Sequence, residues 1–200
     1  ATMNFDEIGT IYWFSPDTNG LLVGTLGGEW LISSSSNDDG ITPTNIRVRK
    51  VSRFASGNVD PVRTGIALIY VQRYGRRVME LIADAYSGKY GGHHINEHAK
   101  HLAASGIKEL AYQEETVPVV WALTNGGTLL GCTYRRISRF ITEPPTFAAW
   151  HQHALGDGAT INSMCVAPAI DNLSDALYLD MKDDSSEHWV EIVRPLFEDV

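Results

Sequence analysis

Apolar runs separated by short polar turns recur along this chain. A hairpin pattern, in which an apolar run, a polar turn and a second apolar run follow one another, begins at Ile11, Ile66, Val119 and Ala176, giving spacings of 55, 53 and 57 residues. Self-similarity at such a period predicts supersecondary units stacked side by side, and about 40 to 50 residues is the size of a four-stranded propeller blade. The third copy is the clearest. Residues 107–114 form a leading strand, 119–124 and 128–134 flank the turn Asn125-Gly126-Gly127, and 147–154 return. Asn-Gly between apolar runs is a strong hairpin signal, because the turns that match strand twist require positive φ.

The other copies follow the same order. In the second, residues 66–72 turn at Tyr74-Gly75 into 77–83; in the fourth, 160–166 lead, 176–181 pair with 188–193 across a turn near 183–186, and no return strand follows. In the first copy, 11–14 turn at 17–20 into a run over 21–32, where Gly24, Gly27 and Gly28 predict a bulge. One helix is predicted over 95–104, where Ile95, Ala99, Leu102 and Ala103 recur at helical spacing before Gly106. The fold class is therefore mainly β: a propeller-like repeat of antiparallel four-stranded sheets, about four hairpin units with the last incomplete, and one inserted helix. Residues 1–200 are read as one such domain, a fragment of a longer protein.

With 44% hydrophobic and 20% charged residues, the 200-residue chain has the material for a substantial core. Its net charge of −8 argues against a dedicated nucleic-acid binder, which gains affinity by neutralising phosphates with clustered Lys and Arg. The short basic groups Arg47/Arg49/Lys50, Arg73/Arg76/Arg77 and Arg135/Arg136 read as solvated strand faces or hairpin ends. Cys132 and Cys165 both lie in apolar strand-like runs and read as reduced. No apolar stretch approaches the roughly 18 residues of a membrane-spanning helix, and no signal-peptide pattern opens the chain.

Candidate chemistry is sparse. His94, His98 and His101 would share one face of the predicted helix, a spacing able to hold Zn²⁺, but without the His-Glu-x-x-His order of zinc proteases. His151 and His153 share one side of their strand, with Trp150 facing the core. Asp180, Asp183, Asp184 and Glu187 form an acidic hairpin turn lacking the Gly of a calcium loop. There is no Gly-x-Ser-x-Gly elbow, no phosphate-binding loop with Lys and no Cys-x-x-Cys pair. Trp13, Trp30, Trp121 and Trp189 fall within apolar strands and are expected in the core. No catalytic, cofactor-binding or metal-ligating residue is therefore assigned, and no cofactor is expected.

An ordered set of short motifs adds a resemblance. Gly28-Glu29-Trp30-Leu31-Ile32, residues 41–46 (Ile-Thr-Pro-Thr-Asn-Ile), Pro61-Val62, residues 69–73 (Ile-Tyr-Val-Gln-Arg) and Val78-Met79-Glu80-Leu81 are followed by residues 97–102 (Glu-His-Ala-Lys-His-Leu), Ala111-Tyr112-Gln113 and Val120-Trp121. Residues 131–136 (Gly-Cys-Thr-Tyr-Arg-Arg) and 149–153 (Ala-Trp-His-Gln-His) complete the order. From about Gly28 onward the chain resembles the tail tubular protein B or nozzle type of short-tailed bacteriophages. The resemblance implies a non-enzymatic virion component located in the tail, self-associating into a ring, contacting other tail proteins and letting DNA pass without specific binding. An acidic wall fits that role, because it repels phosphates. It implies no catalytic residue.

Two other classes stay open. A carbohydrate- or host-receptor-binding module would require exposed aromatics in a concave site, with Tyr74, Tyr86 and Tyr90 the residues to locate. A metal-dependent hydrolase would rest on the helix histidines.

Overall fold

Each apolar alternation becomes one strand of an antiparallel sheet in the computed structural model, which describes residues 9–35, 40–84, 86–115, 117–138, 140–153, 159–170, 174–182 and 187–193. Sheet 1 has the order β1 (Ile11–Asp17), β2 (Gly20–Thr25), β3 (Gly28–Ser34), β4 (Ile46–Ser52). Sheet 2 is β5 (Val62–Thr64), β6 (Ala67–Val71), β7 (Val78–Ala83), β8 (Tyr90–Gly91). Sheet 3 is β9 (Ile107–Gln113), β10 (Val119–Thr124), β11 (Leu129–Arg135), β12 (Phe147–His153), and sheet 4 is β13 (Thr160–Pro168), β14 (Asp175–Lys182), β15 (His188–Val193). Every neighbouring pair within a sheet is antiparallel and consecutive in sequence. This is the propeller-like repeat of sheets expected from the period, with three strands in the last; the described residues do not close into a ring.

Three apolar layers hold consecutive sheets together. Trp13, Leu22 and Leu31 of sheet 1 meet Leu68, Tyr70, Met79 and Leu81 of sheet 2. The other face of sheet 2, with Ala67, Ile69, Val71 and Ile82, meets Val120, Ala122, Leu130 and Cys132 of sheet 3. Trp121, Leu123 and Leu129 on the far side of sheet 3 meet Ile161, Leu177, Leu179 and Met181 of sheet 4. Sheets 2 and 3 are thus covered on both faces, which is why β6 and β10 are continuous apolar runs, buried throughout, rather than alternations.

A repeated backbone bond ties each sheet to the next. The turn after the second strand accepts from the chain entering the following sheet: Ser56 N donates to Thr25 O (2.9 Å), Ile107 N to Gly75 O (2.7 Å) and Ile161 N to Gly127 O (3.5 Å).

Three expectations are corrected. The hairpin of the first copy starts one strand later than the apolar pattern predicts. The run over 21–32 is not one bulged strand but the hairpin β2–β3, turning at Thr25–Gly28, where Thr25 Oγ1 donates to Gly28 O at 2.7 Å. The equivalent hairpins therefore begin at residues 20, 67, 119 and 175, at intervals of 47, 52 and 56. Gly24 is required by close approach: a Cβ there would lie 2.0 Å from the Trp13 indole.

The helix over 95–104 is also not formed. One 3₁₀ turn, Glu97–Ala99, is followed by bonds from Leu102 N to Ala99 O and Ala103 N to Lys100 O, all at i→i−3 spacing. Its leading end is pulled into sheet 2 instead, since Ile95 N donates to Val78 O and buried Asn96 accepts from Val78 N (2.9 Å) while donating to Arg76 O (3.0 Å). Those bonds fix the chain in a conformation that an α-helix cannot share. Trp13 and Trp121 are core residues, but Trp30 is half-buried on the outer face of sheet 1, and Trp189, opposite Met181 on the edge strand β15, is 40% exposed. Both cysteines are free; Cys132 is buried, its thiol pushed up to about 12 by burial, whereas Cys165 is exposed on the uncovered face of sheet 4.

Candidate functional site

The β1–β2, β5–β6 and β7–β8 turns gather at one end of sheets 1 and 2, and between them lies a polar cleft. One lobe, of about 450 Å³, is lined by Asp17, Asn19, Arg63, Asp84 and Tyr86; a second, of about 850 Å³, shares Asp17, Thr18, Asn19 and Gly88 and extends along Ser33 and Arg49. Among the described residues these lobes form the concave region where most polar side chains converge, which is the usual setting of a small-molecule site.

Asp17 is its centre. The carboxylate accepts from Tyr90 Oη, from Arg63 Nη2 (2.8 Å) and from the Asn19 backbone N–H (3.3 Å), and Arg63 Nε also donates to Ser15 Oγ (3.2 Å). Burial opposes the charge on Asp17, but the bonds from Tyr90 and Arg63 outweigh it and hold the carboxyl below its ordinary value. The same pairing acts in reverse on Tyr90, whose phenol is raised by burial and then by the Asp17 carboxylate, so it remains a donor at physiological pH. Asn19 Nδ2 donates to Tyr90 Oη (3.1 Å), and the Arg49 guanidinium sits 5.6 Å over the Tyr90 ring while donating to Gly88 O.

The opposite wall is the Asp84–Gly88 turn. Asp84 Oδ1 accepts from Tyr86 N (3.2 Å), Ser87 N (2.9 Å) and Ser87 Oγ (2.8 Å), and Oδ2 from Ile141 N (3.4 Å). These bonds, the Ser87 backbone first, lower its carboxyl as well. Tyr86, 85% exposed, stacks on Phe140 with centroids 5.6 Å apart at the rim. Two carboxylates held ionised are weak bases, so the cleft is built to orient hydroxyls and other polar groups, with a tyrosine platform beside them.

The remaining candidates are dispersed. Tyr74 lies on the turn of the other hairpin end, 73% exposed under Arg73, so it does not join Tyr86 and Tyr90. His94 bonds Asn96 Oδ1 (2.6 Å) and is lowered by burial, while His98 and His101 line a hollow beside Trp150. Without the helix the three histidines share no face, and among the described residues no group of His, Cys, Asp or Glu could hold a metal ion. His151 and His153 do lie on one side of β12, packed against the Trp121 ring at 6.2 and 5.2 Å, and Trp150 on the other side donates to Ile95 O. Asp183 and Asp184 lie outside the described residues; Asp180 accepts from Asn162 Nδ2 at 2.7 Å.

A second charged set is structural. Glu80, fully buried on β7, accepts from Tyr134 Oη (2.7 Å), Arg136 Nε (3.0 Å) and Arg136 Nη2, and pairs with His93 Nδ1 (2.8 Å). Arg136 also donates to Ser138 O and Glu143 O, so the cluster pins the chain after β11 to sheet 2.

Sequence reading missed Asp17, Asn19, Arg63 and Asp84. Asp-Thr-Asn-Gly and Asp-Ala-Tyr-Ser-Gly are visible as turns, but nothing local shows that two turns so far apart in sequence face one another.

The class defined by this geometry is a propeller-like stack of antiparallel sheets carrying a polar cleft at one end. No family model and no curated protein matches the chain. Among solved structures it is similar to that of a luciferin-regenerating enzyme, at 16% identity and a TM-score of 0.53, over 96% of this chain and 63% of that one. The chain thus spans less than two thirds of the protein it matches, and the likeness is one of fold. It corrects the expectation of a non-enzymatic phage-tail wall component. The repeated-sheet architecture that was to supply a tube wall is shared with an enzyme, and nothing in the comparisons points to a tail protein. Fold alone does not select a scaffold over a catalyst. Among the described residues no helix is long and apolar enough to cross a membrane.

Proposed function

We propose that this chain is part of a propeller-type enzyme that binds a polar, hydroxyl-bearing small molecule in the cleft between sheets 1 and 2. The observation that carries the reading is the Asp17 network. A carboxylate kept ionised by Arg63 and Tyr90 faces a second ionised carboxylate, Asp84, across a cleft large enough for a small molecule. Such groups accept hydrogen bonds from hydroxyls, Asn19 supplies an amide, and Tyr86 offers a ring face at the rim. That a chain of similar architecture is an enzyme makes turnover, as well as binding, the outcome to test. Self-association belongs to this reading too.

The test is a ¹H–¹⁵N NMR titration against a panel of monosaccharides, oligosaccharides and polyols, with product signals followed in the same tubes. Binding is expected to shift the amides of Asn19, Ser87 and Gly88, to weaken at least about tenfold in Asp17→Asn, and to yield product. Binding that maps elsewhere, that survives Asp17→Asn undiminished, or that gives no product overturns the reading.

A further inference from the structure

The two lobes of the cleft differ in charge. Asp17, Arg63 and Asp84 are the charged side chains that line the smaller lobe, and Asp17 and Arg49 those that line the larger. Asp17 belongs to both and is already paired with Arg63 at 2.8 Å, so these two charges cancel. What is left is a carboxylate, Asp84, in the smaller lobe and a guanidinium, Arg49, in the larger. Arg47 stands two residues before Arg49 on β4, on the same face by strand alternation and opposite Ser33, itself in the wall of the larger lobe. The larger lobe is therefore positive, and a cleft lined by one sign of charge concentrates the other.

Arg49 is held in place with most of its donors free. It stands opposite Leu31, on the face of sheet 1 turned toward sheet 2. Its guanidinium lies 5.6 Å over the Tyr90 ring, and its Nη2 donates to Gly88 O at 3.0 Å. A guanidinium carries five N–H donors, and that bond accounts for one. Among the described residues no carboxylate stands within ion-pair distance of Arg49. The ring contact and the Gly88 bond orient the group in the free protein, so little side-chain freedom is left to lose when the remaining donors take a carboxylate or a phosphate in the two-point mode.

Tyr90 also sets the distance between the two ends. Its hydroxyl bonds Asp17 and its ring lies beneath Arg49, so the bound carboxylate and the free guanidinium are one tyrosine side chain apart, a span that a single sugar-sized molecule bridges. In the smaller lobe Asp84 Oδ2 takes only the Ile141 N–H, at 3.4 Å, and keeps acceptor capacity for a ligand hydroxyl.

We infer that the ligand of this cleft is an anionic sugar or polyol: one polyhydroxylated unit with a terminal carboxylate or phosphate, that group on Arg49 in the larger lobe and its hydroxyls toward Asp17 and Asp84. The inference rests on the cleft being the small-molecule site proposed above and adds the charge of what it takes. A ligand entering the other way round would set its anion against Asp84, so charge also fixes its orientation.

The experiment is a ¹H–¹⁵N titration of the full chain, at low and at high salt, with glucose, galactose and mannose, each as the neutral sugar, the uronate and the 6-phosphate. The uronate or the phosphate of at least one hexose is expected to bind at least about tenfold more tightly than its parent sugar, to weaken at high salt, and to add shifts at the Arg49 and Gly88 amides to those at Asn19 and Ser87. Which of the two anions prevails identifies the group. In Arg49→Gln, whose amide spectrum reports that the fold is kept, the ratio of anionic to neutral affinity is expected to fall toward one; in Arg49→Lys, which keeps the charge without the planar fork of donors, it is expected to lie between. Neutral and anionic forms that bind in the cleft equally, or a preference that survives Arg49→Gln, overturn this inference and leave the small-molecule site standing. Ligands that shift no amide of the cleft overturn both.

Discussion

The buried pair of Glu80 and Arg136 offers the sharpest test of how the sheets are held together. Replacing Arg136 with Met keeps the apolar stem but removes the two donors on the Glu80 carboxylate, together with the bonds to Ser138 O and Glu143 O. Both side chains are at most 1% exposed, so water cannot take the place of the guanidinium. Tyr134 Oη and His93 still reach the carboxylate, but the compensating guanidinium charge is lost. Removing one partner of such a buried pair costs about 3–5 kcal/mol, several times the value of an exposed ion pair. Urea unfolding followed by tryptophan fluorescence should show a midpoint lowered by that free energy divided by the slope m, with the slope unchanged. Adding Glu80→Gln should recover much of the loss, because the orphaned charge is then gone while Tyr134 keeps an acceptor. A loss below about 1 kcal/mol for Arg136→Met, or a double variant as unstable as the single, would refute the reasoning.

Further outcomes follow from other sites. Gly24→Ala should destabilise by about 1–3 kcal/mol or more by thermal or urea unfolding, because the new methyl meets the Trp13 indole inside the first apolar layer. Burial, and then neighbouring His151, hold the His153 imidazole below its ordinary value. The unfolded chain therefore binds that proton first, so stability falls as pH drops below about 6.5 and the loss ends below the folded midpoint. An NMR titration of the ring should place that midpoint below 6.5, and His153→Gln should flatten this part of the stability profile. Glu29 has the opposite sign: burial raises its carboxyl, so the folded state binds the proton first and stability falls as pH rises through the folded value. Glu29→Gln, which retains an acceptor for Ser56 Oγ, should therefore be more stable at neutral pH, read as a higher urea midpoint.

Much of the architecture is legible in the chain itself. Period-two alternation and Asn-Gly or Gly-rich turns specify local strands and hairpins, and their recurrence specifies a repeat, because these preferences act over a few residues. The phase of the first copy is not legible for the same reason. A pattern of apolar runs does not distinguish a bulged strand from a two-residue turn, and the space Gly24 leaves is filled by Trp13 from another strand. The predicted helix had the right composition, but helical propensity is weak beside buried tertiary bonds, here those that Asn96 makes to β7 and its flank.

The cleft lies wholly on the tertiary side of this division. Asp17 and Tyr90 are separated by 73 residues, and Arg63 by 46 from Asp17, and they meet only because two packed sheets place their turns at the same end. The sequence determined that there would be sheets, roughly how many, and which faces would be apolar. Only the packing decided which polar turns converge and which tryptophans are covered, because those depend on distances between segments that no local preference encodes.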